Sequence, residues 1–388
     1  MVVILISLNI NAQQKPLTIE ETINLAIENN AHLKATSFKT DQTNALIGSA
    51  FSFDKTSVYY HYDENNLAIN GLPLKVFGVS QDFKFPTVYF ADKKVNKAKY
   101  NLQKSEYAIK LETLKRDVTL AYYNVIYSKN KANTYKYLDS LYQNFATAAE
   151  RRFQLGETNY LEMISAKSKR KQIETTFKQA QQDVTLAEEQ LKKLVQTETI
   201  STTNDPLKKL ELQTLSLQNN IGIVYYEQNE AIYKALHQQE KQNLLPDLSL
   251  EYFQGTNTTL NGTIKGYQLG VKIPIFFSGN TSRIKASNIA KEVIQAEKQD
   301  YKVKLNSEHQ MLLAKLKQYD EAINYYETQG KSLSKEIIKT AARTFKEGEI
   351  DFFQYIQSIE TASDIELYYL SNIHAYNQTI IAINYLIL

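Results

Sequence analysis

Arg151-Arg152-Phe153-Gln154-Leu155-Gly156-Glu157 and, about 192 residues further on, Arg343-Thr344-Phe345-Lys346-Glu347-Gly348-Glu349 are two versions of one statement. In each, basic and aromatic residues close a long amphipathic stretch. A glycine follows, and a second amphipathic stretch begins at once. Glycine is the residue that enters the left-handed backbone region without a steric cost, so each segment predicts a tight reversal between two helices.

The flanking stretches carry the period. Tyr107, Leu111, Leu114, Val118, Ala121, Val125, Ser128, Ala132 and Tyr135 are spaced by four and three in alternation, and Leu138, Tyr142, Phe145 and Ala149 continue the series. Leu312, Leu316, Tyr319, Ile323, Tyr326, Gly330, Leu333 and Ile337 do the same before the second glycine. This is the 3.5-residue seam of a coiled coil. A helix from Pro86 to Gly156 would be roughly 100 Å long at 1.5 Å per residue. Return helices are expected over about Asn159–Val195 and Asp351–Leu386.

Two further landmarks repeat. Asn29-Asn30 is echoed by Asn219-Asn220, and Phe85-Pro86 by Ile273-Pro274, at nearly the same offset. Three ordered matches imply a duplicated chain, with repeats over 16–200 and 214–388 and a linker over 201–213 whose Thr203-Asn204-Asp205-Pro206 has turn chemistry. Each repeat is expected to open with a helix, Ile19 to about Gly48 and about Leu215 to Asn243. A strand pair follows: 52–62 and 74–85 in the first repeat, 248–255 and 266–276 in the second. The polar runs Asp63-Glu64-Asn65-Asn66 and Thr256-Asn257-Thr258-Thr259 predict the hairpin loops. Tyr267, Leu269, Val271, Ile273 and Ile275 alternate with Gln268, Gly270, Lys272 and Pro274, the pattern of a sheet with one apolar and one wet face. Strand lengths of about 9–12 residues suit a tilted bilayer crossing. Four strands do not close a barrel, and open edges are not tolerated in lipid, so membrane strands here require several copies sharing one barrel.

Composition excludes much else. The 388 residues hold 12 Gly and 6 Pro, 27 Tyr and 16 Phe, no Trp and no Cys. Absence of Cys rules out disulfides, thiolate metal sites and a cysteine nucleophile. The near-balanced charge, +3, gives no case for nucleic acid, and the mean hydropathy of −0.42 none for a helical membrane span. Residues 1–13 read as the remnant of a secretory signal peptide: the run Val2-Val3-Ile4-Leu5-Ile6 continues to Ile10 and gives way to Asn11-Ala12-Gln13. His32, His61, His237, His309 and His374 share no metal-ligand spacing and flank no nucleophile. Met163 and Met311 are isolated. No catalytic site, metal site or cofactor is expected. The Lys167-Ser168-Lys169-Arg170-Lys171 cluster reads as a solvated helix face.

The double order of helix, strand pair, long helix, glycine turn and long helix resembles the TolC family of outer-membrane efflux proteins. The carrying residues are Arg152-Phe153-Gln154-Leu155-Gly156-Glu157 with Tyr160-Leu161-Glu162-Met163-Ile164-Ser165-Ala166, and Phe345-Lys346-Glu347-Gly348-Glu349 with Phe353-Gln354-Tyr355-Ile356. Ser80 to Tyr89 and Gly270 to Phe276 resemble that family's strand-to-helix junctions. The resemblance implies a mainly α chain with a small β part, whose homotrimer closes a twelve-stranded barrel in outer-membrane lipid and a helical tunnel in the periplasm. It implies a passive duct, not an enzyme, that docks through its glycine turns onto a periplasmic adaptor (membrane fusion) protein and an inner-membrane efflux transporter. Phe85-Pro86-Thr87-Val88-Tyr89 is similar to the junction of relatives serving heavy-metal pumps of the RND type. An exit channel for protein secretion, and a soluble coiled-coil scaffold, are the alternative readings.

By position from the turns, the resemblance places an inward-facing pore gate on Glu162, Gln354 and Gln357, with Asp351 as a further candidate. The glutamines replace acids of the familiar pattern. Arg151, Arg343 and Glu349 are expected to tie neighbouring helices shut, and Arg152, Gly156, Glu157 and Gly348 to share the tip and adaptor contacts.

Overall fold

The computed structural model describes residues 16–67, 73–213, 216–257 and 262–388; the signal-like segment 1–13 lies outside them. The chain divides into two compact units, and each repeat contributes to both.

The first unit comprises residues up to Leu33, Lys110–Leu217 and Leu305–Ile387. It holds α1 (Ile19–Asn29), most of α3 (Pro86–Gln154), α4 (Tyr160–Val195), the end of α6 (Ser278–Tyr325), α7 (Lys331–Glu347) and α8 (Phe352–Asn384). α3 is one uninterrupted 69-residue helix, and Pro86 opens it at the position where a missing N–H costs nothing. The predicted seam is its buried face: Val118, Val125, Leu138, Tyr142 and Phe145 are all in the core.

The second seam departs from its expected course. A π-turn at Tyr326–Gly330 separates α6 from α7. A π-turn adds a residue to the helical phase, so the buried face moves on by one. Ser334 and Ala341 are buried, and Leu333, expected in the core, is 45% exposed. The Ser334 hydroxyl spans to the Ala362 carbonyl of α8 at 2.9 Å.

The inter-repeat linker is held along α8 by two asparagines. Asn377, fully buried, accepts the Leu210 N–H at 2.9 Å and donates to the Lys208 carbonyl at 2.7 Å. Asn384 treats Gln213 and Glu211 the same way at 3.0 and 3.3 Å. Seven helical residues rise about 10.5 Å and three extended residues span about 10 Å, so the two amides meet the linker in register. Asn377→Leu removes both bonds and strands two backbone groups. It should lower stability by about 2–3 kcal/mol and expose the Lys208–Lys209 bond to trypsin, read as a faster cleavage rate in limited proteolysis.

His374 of α8 stacks on Tyr127 with ring centroids 4.1 Å apart. Its Nε2 lies 2.9 Å from the Gln378 amide, and its Nδ1 is buried without a partner. Burial depresses its pKa to about 4. The unfolded chain binds this proton near pH 6.5, so stability is fully present above that pH and falls as pH drops towards 4. At about 1.4 kcal/mol per pH unit the loss is about 3 kcal/mol. Thermal unfolding between pH 7 and 4 should show this slope, and His374→Phe should flatten it.

The second unit, Lys34–Ile109 and Gln218–Lys304, holds most of α2 (Ala31–Ala45), α5 (Ile221–Gln242), the starts of α3 and α6, and one sheet. Its strands are β1 (Ser57–Leu67), β2 (Pro73–Phe83), β3 (Asp247–Asn257) and β4 (Gly262–Lys272). All neighbours are antiparallel, in the order β1-β2-β3-β4. The β2–β3 pair, with Val79 opposite Tyr252, joins the hairpins of the two repeats.

Several predicted boundaries are corrected. The helix expected over Ile19–Gly48 breaks at Asn30, whose Oδ1 accepts the Leu33 N–H at 2.8 Å and so starts α2. Asn220 does the same for α5 through the Gly222 N–H at 2.9 Å, so that helix begins at Ile221; Leu215, its expected start, lies outside the described residues. β1 begins at Ser57, not residue 52, because a 3-10 turn at Gly48–Phe51 and extended residues precede it. The Asp63–Asn66 run lies inside β1, and Thr256 and Asn257 lie inside β3; Thr258 and Thr259 lie outside the described residues. β2 and β4 stop short of Pro86 and Pro274, the latter unable to donate to a ladder.

Candidate functional site at the helix turns

Both glycine reversals lie in the first unit and share one geometry. Gly156 has φ +75° and Gly348 φ +77°. The Glu157 N–H reaches back to the Arg152 carbonyl at 2.8 Å, and the Glu349 N–H to Thr344 at 2.9 Å. The Gly156 and Gly348 N–H groups bond Phe153 and Phe345 at 3.0 and 3.2 Å. These are paired Schellman closures. An added Cβ would meet no neighbour at either glycine, so the backbone angle alone selects the residue.

The return helices start with side-chain caps. Asn159 Oδ1 accepts the Glu162 N–H at 2.9 Å, and the Thr158 hydroxyl donates to the Glu162 carboxylate. In the second turn Asp351 Oδ1 accepts the Gln354 N–H at 2.8 Å, and Gln354 Oε1 accepts the Asp351 N–H at 3.0 Å, a complete capping box. Glu162 and Gln354 are thus equivalent third-position residues, and Asp351 is the cap itself. Gln357 lies one turn on, exposed on α8.

Behind the turns, four helices meet in one apolar cluster. Leu138, Tyr142, Phe145, Ala146 and Ala149 of α3 join Ala166 of α4, Ala341 of α7, and Phe352, Tyr355 and Ile359 of α8. Phe145 is its hub, with ring centroids 5.0 Å from Phe352, 5.1 Å from Tyr355 and 5.5 Å from Phe345. Burial raises the pKa of the Tyr142 hydroxyl above its ordinary value. The Arg152 guanidinium lies over the Phe345 ring, 5.6 Å from its centroid, linking the two turns.

Within the chain, the charged contacts of the turn residues are local. Arg343 pairs with Glu347 one turn along its own helix at 3.9 Å, and Arg152 with Glu157 within its own turn at 4.0 Å. Among the described residues, Arg151 and Glu349 form no ion pair within the chain. The helices are bridged instead by Glu150 to Lys167 at 2.6 Å and by Lys169 to Glu360. Part of the basic cluster read as a solvated face therefore holds α4 to α3 and α8. Arg152 and Arg343 find acids within their own turn or helix, whereas Lys167 and Lys169 face adjoining helices. The cap signals stand in the sequence: Asn159 as a single N-cap before Glu162, and Asp351-x-x-Gln354 as a capping box.

Exposed apolar side chains cover the first turn: Leu155 is 73% exposed, and Tyr160 and Leu161 are also exposed, as is Phe353 beside the second turn. Among the described residues no helix is long and apolar enough to cross a membrane, and no group of three or more potential metal ligands occurs.

In the second unit, the sheet is two-faced. Val58, Tyr60, Phe77, Val79, Leu248, Leu250, Tyr252, Tyr267, Leu269 and Val271 share one side by register. The other carries Tyr59 bonded to Glu251, and Lys272 paired with Asp82 at 2.6 Å. There Tyr59 and Phe253 lie flat over their cross-strand partners Gly78 and Gly266, where a Cβ would collide with the rings. The outer edges of β1 and β4 have no partner within the described chain.

No protein-family model matches this sequence, and no curated protein does. Solved structures do match. The chain is similar to the transmembrane channel CusC (15% identity, TM-score 0.80, covering 94% of this chain and 90% of that one). It is similar to the CmeC outer membrane channel of Campylobacter jejuni (16% identity, TM-score 0.79, 95% and 84%). It is also similar to the open state of the MtrE outer membrane channel of Neisseria gonorrhoeae (13% identity, TM-score 0.77, 95% and 88%). The fold is therefore that of the TolC-type channels, as the sequence resemblance implied.

Proposed function

We propose that this chain is one third of an outer-membrane exit duct for an efflux pump, passive in itself and driven by an inner-membrane transporter through a periplasmic adaptor. The observation that carries this reading is the four-stranded sheet with two free edges and one apolar side. In lipid such edges must pair, so copies must close a ring. Two copies would give eight strands, an interior that side chains fill. Three give twelve, the smallest multiple with room for a lumen. The Tyr59–Glu251 side faces that lumen, and the Leu269 side faces lipid.

In the first unit, the turns form the gate and the docking surface. Glu162 from three copies, close to a common axis, gives a ring of carboxylates that favours cations. Asp351, Gln354 and Gln357 line the same aperture, and the glutamines leave the second turn neutral. Arg151 and Glu349, which form no ion pair among the described residues of their own chain, are available to a neighbouring copy or the adaptor. Leu155, Leu161 and Phe353 supply apolar contact area, beside Arg152, Gly156, Glu157, Arg343 and Gly348. A duct selects cargo weakly, because the transporter chooses; we assign small molecules or metal ions, as supplied by a heavy-metal transporter, on the likeness of the Phe85–Tyr89 junction.

Native mass measurement of the detergent-extracted protein should give a trimer, and planar-bilayer recording a cation-preferring conductance. Glu162→Ala should reduce the cation preference by a factor of about two or more, as loss of a charge ring does at an effective dielectric near that of protein surfaces. Unchanged selectivity would remove Glu162 from the gate. A monomer without conductance would remove the duct.

A further inference from the structure

The two strand-to-helix junctions are unequal. β2 passes to α3 through Lys84 and Phe85 alone, while β4 passes to α6 through five residues, Ile273-Pro274-Ile275-Phe276-Phe277. Those five are apolar without exception. Ile273, Ile275 and Phe277 are each more than half exposed, and Phe276 is 91% exposed. Pro274 alone is partly covered; among the described residues the other four stand open.

A matching patch stands at the opposite edge of the sheet. Phe53, in the lead-in to β1, meets Phe83 edge-on at 5.7 Å and Tyr89 at 5.3 Å. Phe51 meets Tyr89 at 6.3 Å and Phe90 at 5.6 Å. This cluster is closed towards its own helix and open outward, with Phe53 and Phe90 still more than half exposed. β1 leaves the helical end of the sheet and β4 returns to it, so both patches lie at the same level on opposite edges. A heterologous edge-to-edge contact between copies brings one onto the other.

We propose that Ile273–Phe277 of one copy clasps the Phe51, Phe53 and Phe90 cluster of the next. The clasp seals the junction between shared barrel and helices; it rests on the three-copy duct proposed above. Lipid is the competing cover. It wets only the outer side of a barrel, as the alternation of Leu269 and Val271 with Gln268 and Gly270 reflects. Five consecutive apolar positions leave no polar side to turn towards water, and a protein neighbour covers both sides. The three residues that this connector has beyond its counterpart supply the reach.

The chain contains neither Cys nor Trp, so introduced residues report alone. Phe276→Cys combined in turn with Phe51→Cys, Phe53→Cys and Phe90→Cys, treated with a short bismaleimide in membranes, should give a ladder of dimer and trimer bands in at least one pair. Neither partner variant alone should give it. The sole tryptophan of a Phe276→Trp variant should resist quenching by brominated lipid. A trimer by native mass with no cross-link in any pair, or with the fluorescence of the Phe276→Trp variant quenched by the lipid, overturns the clasp and leaves the duct standing. A monomer by native mass overturns both.

Discussion

Leu269→Arg should empty the membrane fraction of this protein while leaving its sheet paired. Leu269 is 82% exposed in the isolated chain and makes its cross-strand pair with Leu250 through the backbone. For a chain that stays in water, arginine at such a position is neutral to within about 0.5 kcal/mol. On the lipid side of a barrel it costs about 2–4 kcal/mol near the bilayer midplane. A symmetric ring incurs that cost once per copy. The effect on assembly is therefore several times larger than any one chain's stability would suggest. The control is Gln268→Arg on the opposite face, where the side chain meets water in either case. Comparing the protein retained in membranes after high-salt washing decides the matter. Equal retention of both variants would mean that the Leu269 row never meets lipid, and the soluble scaffold would become the better reading.

Phe145→Ala is expected to loosen the helix turns by about 3–5 kcal/mol, the range for deleting a buried aromatic side chain. Phe145 contacts Phe345, Phe352 and Tyr355 on two other helices, so the cavity lies where α3, α7 and α8 meet and cannot collapse onto a single neighbour. Leu155→Ala, just past the end of the same helix and exposed, should change stability by less than about 0.5 kcal/mol. Amide hydrogen exchange across α7 and the start of α8 separates the two outcomes. Protection there should fall by two orders of magnitude or more in Phe145→Ala and stay unchanged in Leu155→Ala. Equal protection in both variants would show that the turns are held by their caps and not by the aromatic cluster.

Much of this fold is written in the sequence at the scale where periodicity speaks. The duplicated glycine turns, the α3 seam from Leu114 to Ala149 and the two-faced alternation in β4 are each decided by spacing alone. What spacing does not carry is phase. Leu333 continues the heptad on paper, yet Ser334 takes the buried position because a π-turn intervenes. The backbone hydrogen-bond change that makes the π-turn has no composition cue in Tyr326-Glu327-Thr328-Gln329-Gly330. The Asn30 break was likewise hidden: a polar residue within an amphipathic stretch reads as a solvated position until its side chain is seen accepting the Leu33 N–H. At the site, residue types near the turns were legible and their partners were not. The sequence marks Arg343 as a tie between helices without naming its acid; within the chain that acid is Glu347. Lys169 looked like solvent-facing charge because Glu360, its partner, is far away in sequence.

The π-turn has a further consequence, for symmetry. α3 runs through without a defect, whereas its counterpart is interrupted at Tyr326–Gly330. The two hairpins of one chain are consequently related but not interchangeable. A ring of three such chains would present six hairpin ends in two alternating kinds. A protein seated on that rim would meet two distinct grooves in strict alternation. A sixfold partner would have to bind each pair of its subunits in different ways, or leave every second groove vacant.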